Sequence, residues 1–234
     1  MNSQYPPTQL PSQIGMRPPA ALSAAFLTQA FTWMFAGLLL TAGVAAAVYG
    51  NRALLAFAQD GFILLVIAQL VLVVAISAGI GRMSATLALG LFFVYAASLG
   101  LTVGTIVQLY TGASVVAAFL SASAMFGGAA LYGATTRRSL AGIGGYLTMG
   151  IFGLVVASLV NVFLGSGPIG FAISLIGVVL FTGLTAWDVQ RIAAGDLAAR
   201  LGSMEKAAVV GALQLYLDFV NLFLFLLRLM GDRR

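Results

Sequence analysis

Long apolar runs alternate with short polar breaks along almost the whole chain. The runs cover about 27–49, 62–80, 86–109, 114–134, 142–164, 169–189 and 207–229. Each is close to the ~20 residues an α-helix needs to cross a hydrocarbon layer. The pattern predicts an all-α, polytopic membrane protein, a bundle of seven transmembrane helices. Most breaks are short, such as Thr111-Gly112 and Gly165-Ser166-Gly167-Pro168. Only 190–206 is longer and charged, and Ser203 there is placed to cap the last helix. Residues 1–22 are polar and hold Pro6, Pro7, Pro11, Pro18 and Pro19. They predict a disordered Pro-rich tail ahead of a transmembrane domain over 23–234. The run after the tail is too long for the core of a cleavable signal. No internal repeat marks an inverted-repeat transporter.

Composition narrows the chemistry. Hydrophobic residues make up 61% of the 234 and charged residues only 7%, so no stretch suffices for a soluble catalytic domain. The chain has no cysteine and no histidine. Thiolate sites, histidine-based zinc sites and histidine-based triads are therefore excluded. Lys206, the one lysine, lies in the charged break, which excludes a retinal-type Schiff base inside the last span. The 28 glycines fall largely inside the spans, as in Gly127-Gly128 and Gly144-Gly145, and predict close helix packing there.

The net charge of +5 comes from basic residues scattered at the ends of the runs. That pattern serves membrane orientation and not nucleic-acid binding. Arg17, Arg82, Arg137, Arg138, Arg191, Arg200 and Lys206 fall on one side. Arg52, Arg228, Arg233 and Arg234 fall on the other or at its edge. The asymmetry predicts a cytoplasmic N-terminus and an external C-terminus.

Two acids stand where charge is costly. Asp60, Asp196, Glu205 and Asp232 lie in breaks or at ends, but Asp188 is near one end of the sixth span and Asp218 near the middle of the seventh. A charge at such depth costs at least ~2.5 kcal/mol and must face the bundle interior with a partner. Arg82, ending the second span, is the expected cation. Two carboxylates meeting in a low-dielectric bundle are expected to share one proton. The pair then forms a pH switch without histidine. When doubly charged, it is an oxygen-rich site suited to Ca²⁺. The plain alternative is an Asp–Arg tether that only locks helices. Depth is a difficulty: Asp218 lies about 18 Å along its helix from Lys206, and Asp188 only ~4.5 Å from Arg191. Asn221, three residues after Asp218 and on the same helix face, is placed either to support that carboxylate or to make an interhelical contact elsewhere. Asn161, Trp187 and Tyr216 read as packing residues.

The same stretches resemble a known family. Leu213-Gln214-Leu215-Tyr216-Leu217-Asp218-Phe219-Val220-Asn221-Leu222-Phe223, continuing to Leu227-Arg228, resembles the last-helix signature of the Bax inhibitor family. Asp188-Val189-Gln190-Arg191-Ile192 resembles its other signature, and Arg82-Met83-Ser84 and Gly100-Leu101-Thr102 also fit. The similarity runs from about 26 to 231. It implies seven helices with the last surrounded by the others. It implies a pH-sensitive calcium leak in a bacterial inner membrane, with no resident cofactor. Asp188 and Asp218 would share the proton, and Arg82 would bond the pair in the closed state. Trp187 stands where many members have tyrosine. An association of relatives with a membrane quality-control protease gives the rival reading, a regulatory protein without transport. An intramembrane aspartyl protease is a poor match, because Leu215-Tyr216-Leu217-Asp218 is not Gly-x-Gly-Asp and no Pro-Ala-Leu segment occurs. The expectation is a non-enzyme whose partners are the lipid bilayer and Ca²⁺ or other cations, with a membrane protease as the partner in the rival reading.

Overall fold

A computed structural model describes residues 20–233, with side chains from Ala24 onward. Most of the tail expected over 1–22 lies outside the described residues. Seven helices among those described are long and apolar enough to cross a membrane. They are α1 (Ala20–Gly50), α3 (Phe62–Gly79), α4 (Ala85–Val107), α5 (Gly112–Thr135), α6 (Ala141–Leu164), α7 (Gly167–Ala194) and α9 (Met204–Met230). Two short helices were not legible as spans: α2 (Arg52–Asp60) and α8 (Asp196–Leu201).

Hydroxyl and amide caps start most of these helices. Asn51 accepts from Ala53 N and Leu54 N, Ser84 from Leu87 N and Thr111 from Ser114 N. Ser203 accepts from Lys206 N at 3.3 Å, as its position in the sequence predicts. Gly195 (φ 76°) and Gly202 (φ 64°) end α7 and α8 in the left-handed region, which lets the chain turn back twice within eight residues. The near face of the bundle carries the start of α1, the α3–α4 and α5–α6 turns, and α8. The far face carries α2, the α4–α5 and α6–α7 turns, and the end of α9.

Helix α9 is the centre. It packs on α7, α1, α5 and α4, and 67% of its spanning window is buried. By contrast α6 buries only Gly144 and Leu154, and it leans on α7 with Phe152 and Phe163 outward. Apolar outward faces gain nothing from association in lipid, so close fit must hold the helices. Small residues provide it, and of the two pairs named from the sequence only Gly144 takes part. A Cβ on Gly127, Gly128 or Gly145 meets nothing within 4 Å, because those positions face outward. Gly144 lies on the Trp187 ring, and the other close approaches are Gly133 on the Ala186 backbone and Gly100 and Gly104 on Val44 and Val48.

Candidate functional site

The antiparallel contact between α7 and α9 resolves the difficulty of depth. Gly211 of α9 sits against Ile192 of α7, and Gly177 sits against Phe225. In that register Asp188 is level with Leu215, and Asp218 with Thr185. The two acids therefore differ by three residues, about 4.5 Å along the axis. The first turns of α9 extend past α7 and pack on α8. Asp188 is 5% exposed, Asp218 is 4% exposed, and they are within electrostatic reach of each other.

Their surroundings differ. Arg191 Nη1 donates to Asp188 Oδ1 at 3.3 Å, one turn away on the same helix. The guanidinium also lies 4.2 Å from the centre of the Trp187 ring. The Asp218 side chain makes no hydrogen bond or ion pair among the described residues, and its Oδ2 is fully buried. One turn earlier on α9, Gln214 Oε1 is likewise buried without a donor. Two bare acceptors in a water-poor interior require a proton, a water or a cation to satisfy them.

Two expected partners are placed elsewhere. Arg82 is exposed in the turn after α3 and pairs with neither aspartate. The reason is local: α3 ends at Gly79, and the turn is held from the other side by Lys206 Nζ donating to Gly81 O at 3.4 Å. Asn221 does not support Asp218. Its Nδ2 donates to Leu217 O at 2.8 Å, back along its own helix. Asn161 does have a packing role, as its Oδ1 accepts from Ser166 N in the α6–α7 turn.

Several contributors escaped the sequence reading. Gln190 Oε1 accepts from Leu140 N at 2.7 Å and its Nε2 donates to Arg138 O at 2.8 Å, so it clamps the α5–α6 turn. The turn 187–191 thus touches α6 through Trp187, its own carboxylate through Arg191, and the neighbouring turn through Gln190. On the other side of Asp218, the Tyr216 hydroxyl is 2.5 Å from Thr41 Oγ1. Thr41 Oγ1 also lies 2.8 Å from Ala96 O and 2.9 Å from Gly37 O. Phe92 and Tyr95 set their rings edge-on to Tyr216 at 5.4 and 5.8 Å. This network ties α9 to α1 and α4 beside the acids. Glutamine and hydroxyl side chains inside apolar runs were the only available signal.

Seven spans with an acid-bearing helix at their centre define a polytopic membrane protein with a buried pair of carboxylates. The family model described as "Inhibitor of apoptosis-promoting Bax1" matches residues 23–234, and the chain belongs to that Bax inhibitor family. The chain is 42% identical over 227 residues to the inner membrane protein YbhL of Escherichia coli strain K12, covering 94% of this chain and 96% of that one. It is 42% identical over 214 residues to an uncharacterized protein of Borreliella burgdorferi, covering 89% and 92%. It is 37% identical over 212 residues to the uncharacterized protein YrjE of Lactococcus lactis, covering 88% and 90%.

Proposed function

We propose that this protein is a pH-sensitive cation leak of a bacterial inner membrane, with Ca²⁺ as the transported ion. The Asp188–Asp218 pair is its gate and Gln214 an added oxygen beside it. The observation that carries the reading is Asp218 itself: a carboxylate in the middle of the central span, buried, with no donor and no basic side chain on it among the described residues. A tether that only locks helices would have its charges matched, as Asp188 and Arg191 are. Asp218 is instead left to a mobile proton or ion. When the pair shares a proton, its charge is partly met by Arg191. When that proton leaves, two negative charges face each other and must separate or take up a cation. Among the described residues no group of three or more acidic, His or Cys side chains surrounds the pair. Two carboxylates and an amide oxygen leave most of the six to eight Ca²⁺ ligands to water, which suits an ion that passes rather than stays. The asymmetry of basic residues orients the near face to the cytoplasm.

The test is Ca²⁺ entry into liposomes holding the purified chain, read with an internal fluorescent indicator from pH 5 to 9. Wild type should show a pH-dependent flux. Asp188→Asn and Asp218→Asn should each flatten the profile, and the double variant should add little, because both act on one unit. No flux at any pH would overturn the leak and leave the regulatory role.

A further inference from the structure

We propose that the far face carries a binding site for an anionic phosphate group, formed where the ends of α6 and α9 meet the start of α7. A cavity of about 600 Å³ opens there. Its polar lining comes from Ser158, Asn161, Ser166, Arg228 and Arg233, and among the described residues no acidic one lines it. Neither arginine has an ion pair among the described residues. Arg233 is held in place by the backbone: Thr111 N donates to Asp232 O at 3.1 Å, and Asp232 N donates to Ser114 Oγ at 2.9 Å. Its guanidinium lies 5.9 Å from the Tyr110 ring centre, so the α4–α5 turn anchors it beside the cavity. Arg228, five residues earlier, comes from the last turn of α9.

Donors dominate this cavity. Asn161 already uses its Oδ1 to accept from Ser166 N, so its amide nitrogen is the group left to offer. The start of α7 adds the Gly167 peptide N–H and the positive end of a 28-residue helix; Pro168 has no N–H, and Ile169 N is taken by Ser166 Oγ. Gly165 and Gly167 leave the backbone open, with nothing within 4 Å of where a Cβ would stand. Two unpaired guanidinium groups with neutral donors, and without a carboxylate, suit a phosphate oxyanion and disfavour a cation. The site lies at the ends of membrane-spanning helices, the depth of lipid headgroups. Phosphate borne by an anionic lipid is therefore the ligand it fits. It is separate from the acid pair, which lies toward the other end of α7.

The test heats the purified full chain in neutral detergent with phosphatidylglycerol, phosphatidylcholine or inorganic phosphate, following Tm by tryptophan fluorescence. Phosphatidylglycerol should raise the wild-type Tm above the phosphatidylcholine value. The increment should vanish in the Arg228→Gln/Arg233→Gln double variant and persist in Arg137→Gln/Arg138→Gln, whose arginines lie at the near face. Gly167→Glu supplies a second variant that the fold accommodates, since its side chain enters open space and places an acid at the helix start. It too should abolish the increment. An increment given by inorganic phosphate alone, and lost in the same variants, supports the site with a soluble anion as its ligand. No increment in wild type, or equal increments in wild type and Gly167→Glu, overturns the proposal.

Discussion

Arg191 reaches back one turn to Asp188, with 3.3 Å between Nη1 and Oδ1, and lays its guanidinium over Trp187 as it does so. The counter-charge of the buried centre is thus supplied from within the same helix. Asp188 has its cation on its own helix, whereas Asp218 on α9 has none among the described residues.

Arg191→Gln should destabilise the fold by about 3 kcal/mol or somewhat less, since breaking a buried pair costs about 3–5 and Arg191 is partly exposed. Adding Asp188→Asn should recover much of that loss, because the stranded charge goes with it. A double-mutant cycle on unfolding in bicelles reads the coupling.

Arg82→Ala should leave stability within about 0.5 kcal/mol of wild type, as expected of an exposed residue without a side-chain partner. Thermal unfolding checks this directly. A large loss would mean that Arg82 is drawn to the acids in the populated state.

Tyr216→Phe and Thr41→Val remove the same 2.5 Å contact and should not cost the same. The threonine hydroxyl can donate to Ala96 O or Gly37 O while accepting from the phenol. Removing the phenol hydroxyl loses one bond, about 0.5–1.5 kcal/mol, whereas Thr41→Val strands the buried phenol at about 1–3 kcal/mol. Unfolding of the two variants under identical conditions should rank them in that order.

Gly133→Ala should be the more damaging of two similar changes. Its Cβ would fall on the Ala186 carbonyl, a backbone atom that cannot swing aside, and overpacking of this kind costs about 1–3 kcal/mol. Gly127→Ala, six residues earlier on α5, enters open space and should be neutral or stabilising by up to about 1 kcal/mol. The difference between their melting temperatures is the measurement.

Gln190→Ala should free the α5–α6 turn. Faster amide exchange at Leu140, with little change at Phe219 in the core of α9, is the expected result in hydrogen exchange by mass spectrometry.

The spans were readable because a helix in lipid must be apolar for its full length, a constraint no other element meets. The nine residues of α2 escaped because Arg52 and Asp60 bracket a run too short to cross. Asp188 and Asp218 were visible because charge is rare in such runs. The partner of Asp188 was not, since topology drew attention to Arg82 when an i, i+3 neighbour sufficed. Asn221 shares a helix face with Asp218, but a short amide can satisfy itself on the carbonyl four residues back. The link between Thr41 and Tyr216 spans 175 positions, and nothing in either local sequence announces it. The glycines show the same limit: their number indicates close packing somewhere, and only the assembled helices show which ones are in contact.

The central place of α9 also bears on how the chain is made. The other six spans precede it in synthesis, and α1, α4, α5 and α7 all rest on it. Until it arrives they surround a gap with no occupant. The earlier helices can thus enter the bilayer one by one, but their final packing must await the segment bearing Asp218. A nascent chain stalled before Met204 should behave as a loose set of membrane helices, open to insertion-assisting factors or to proteases, and not as a smaller version of the finished bundle.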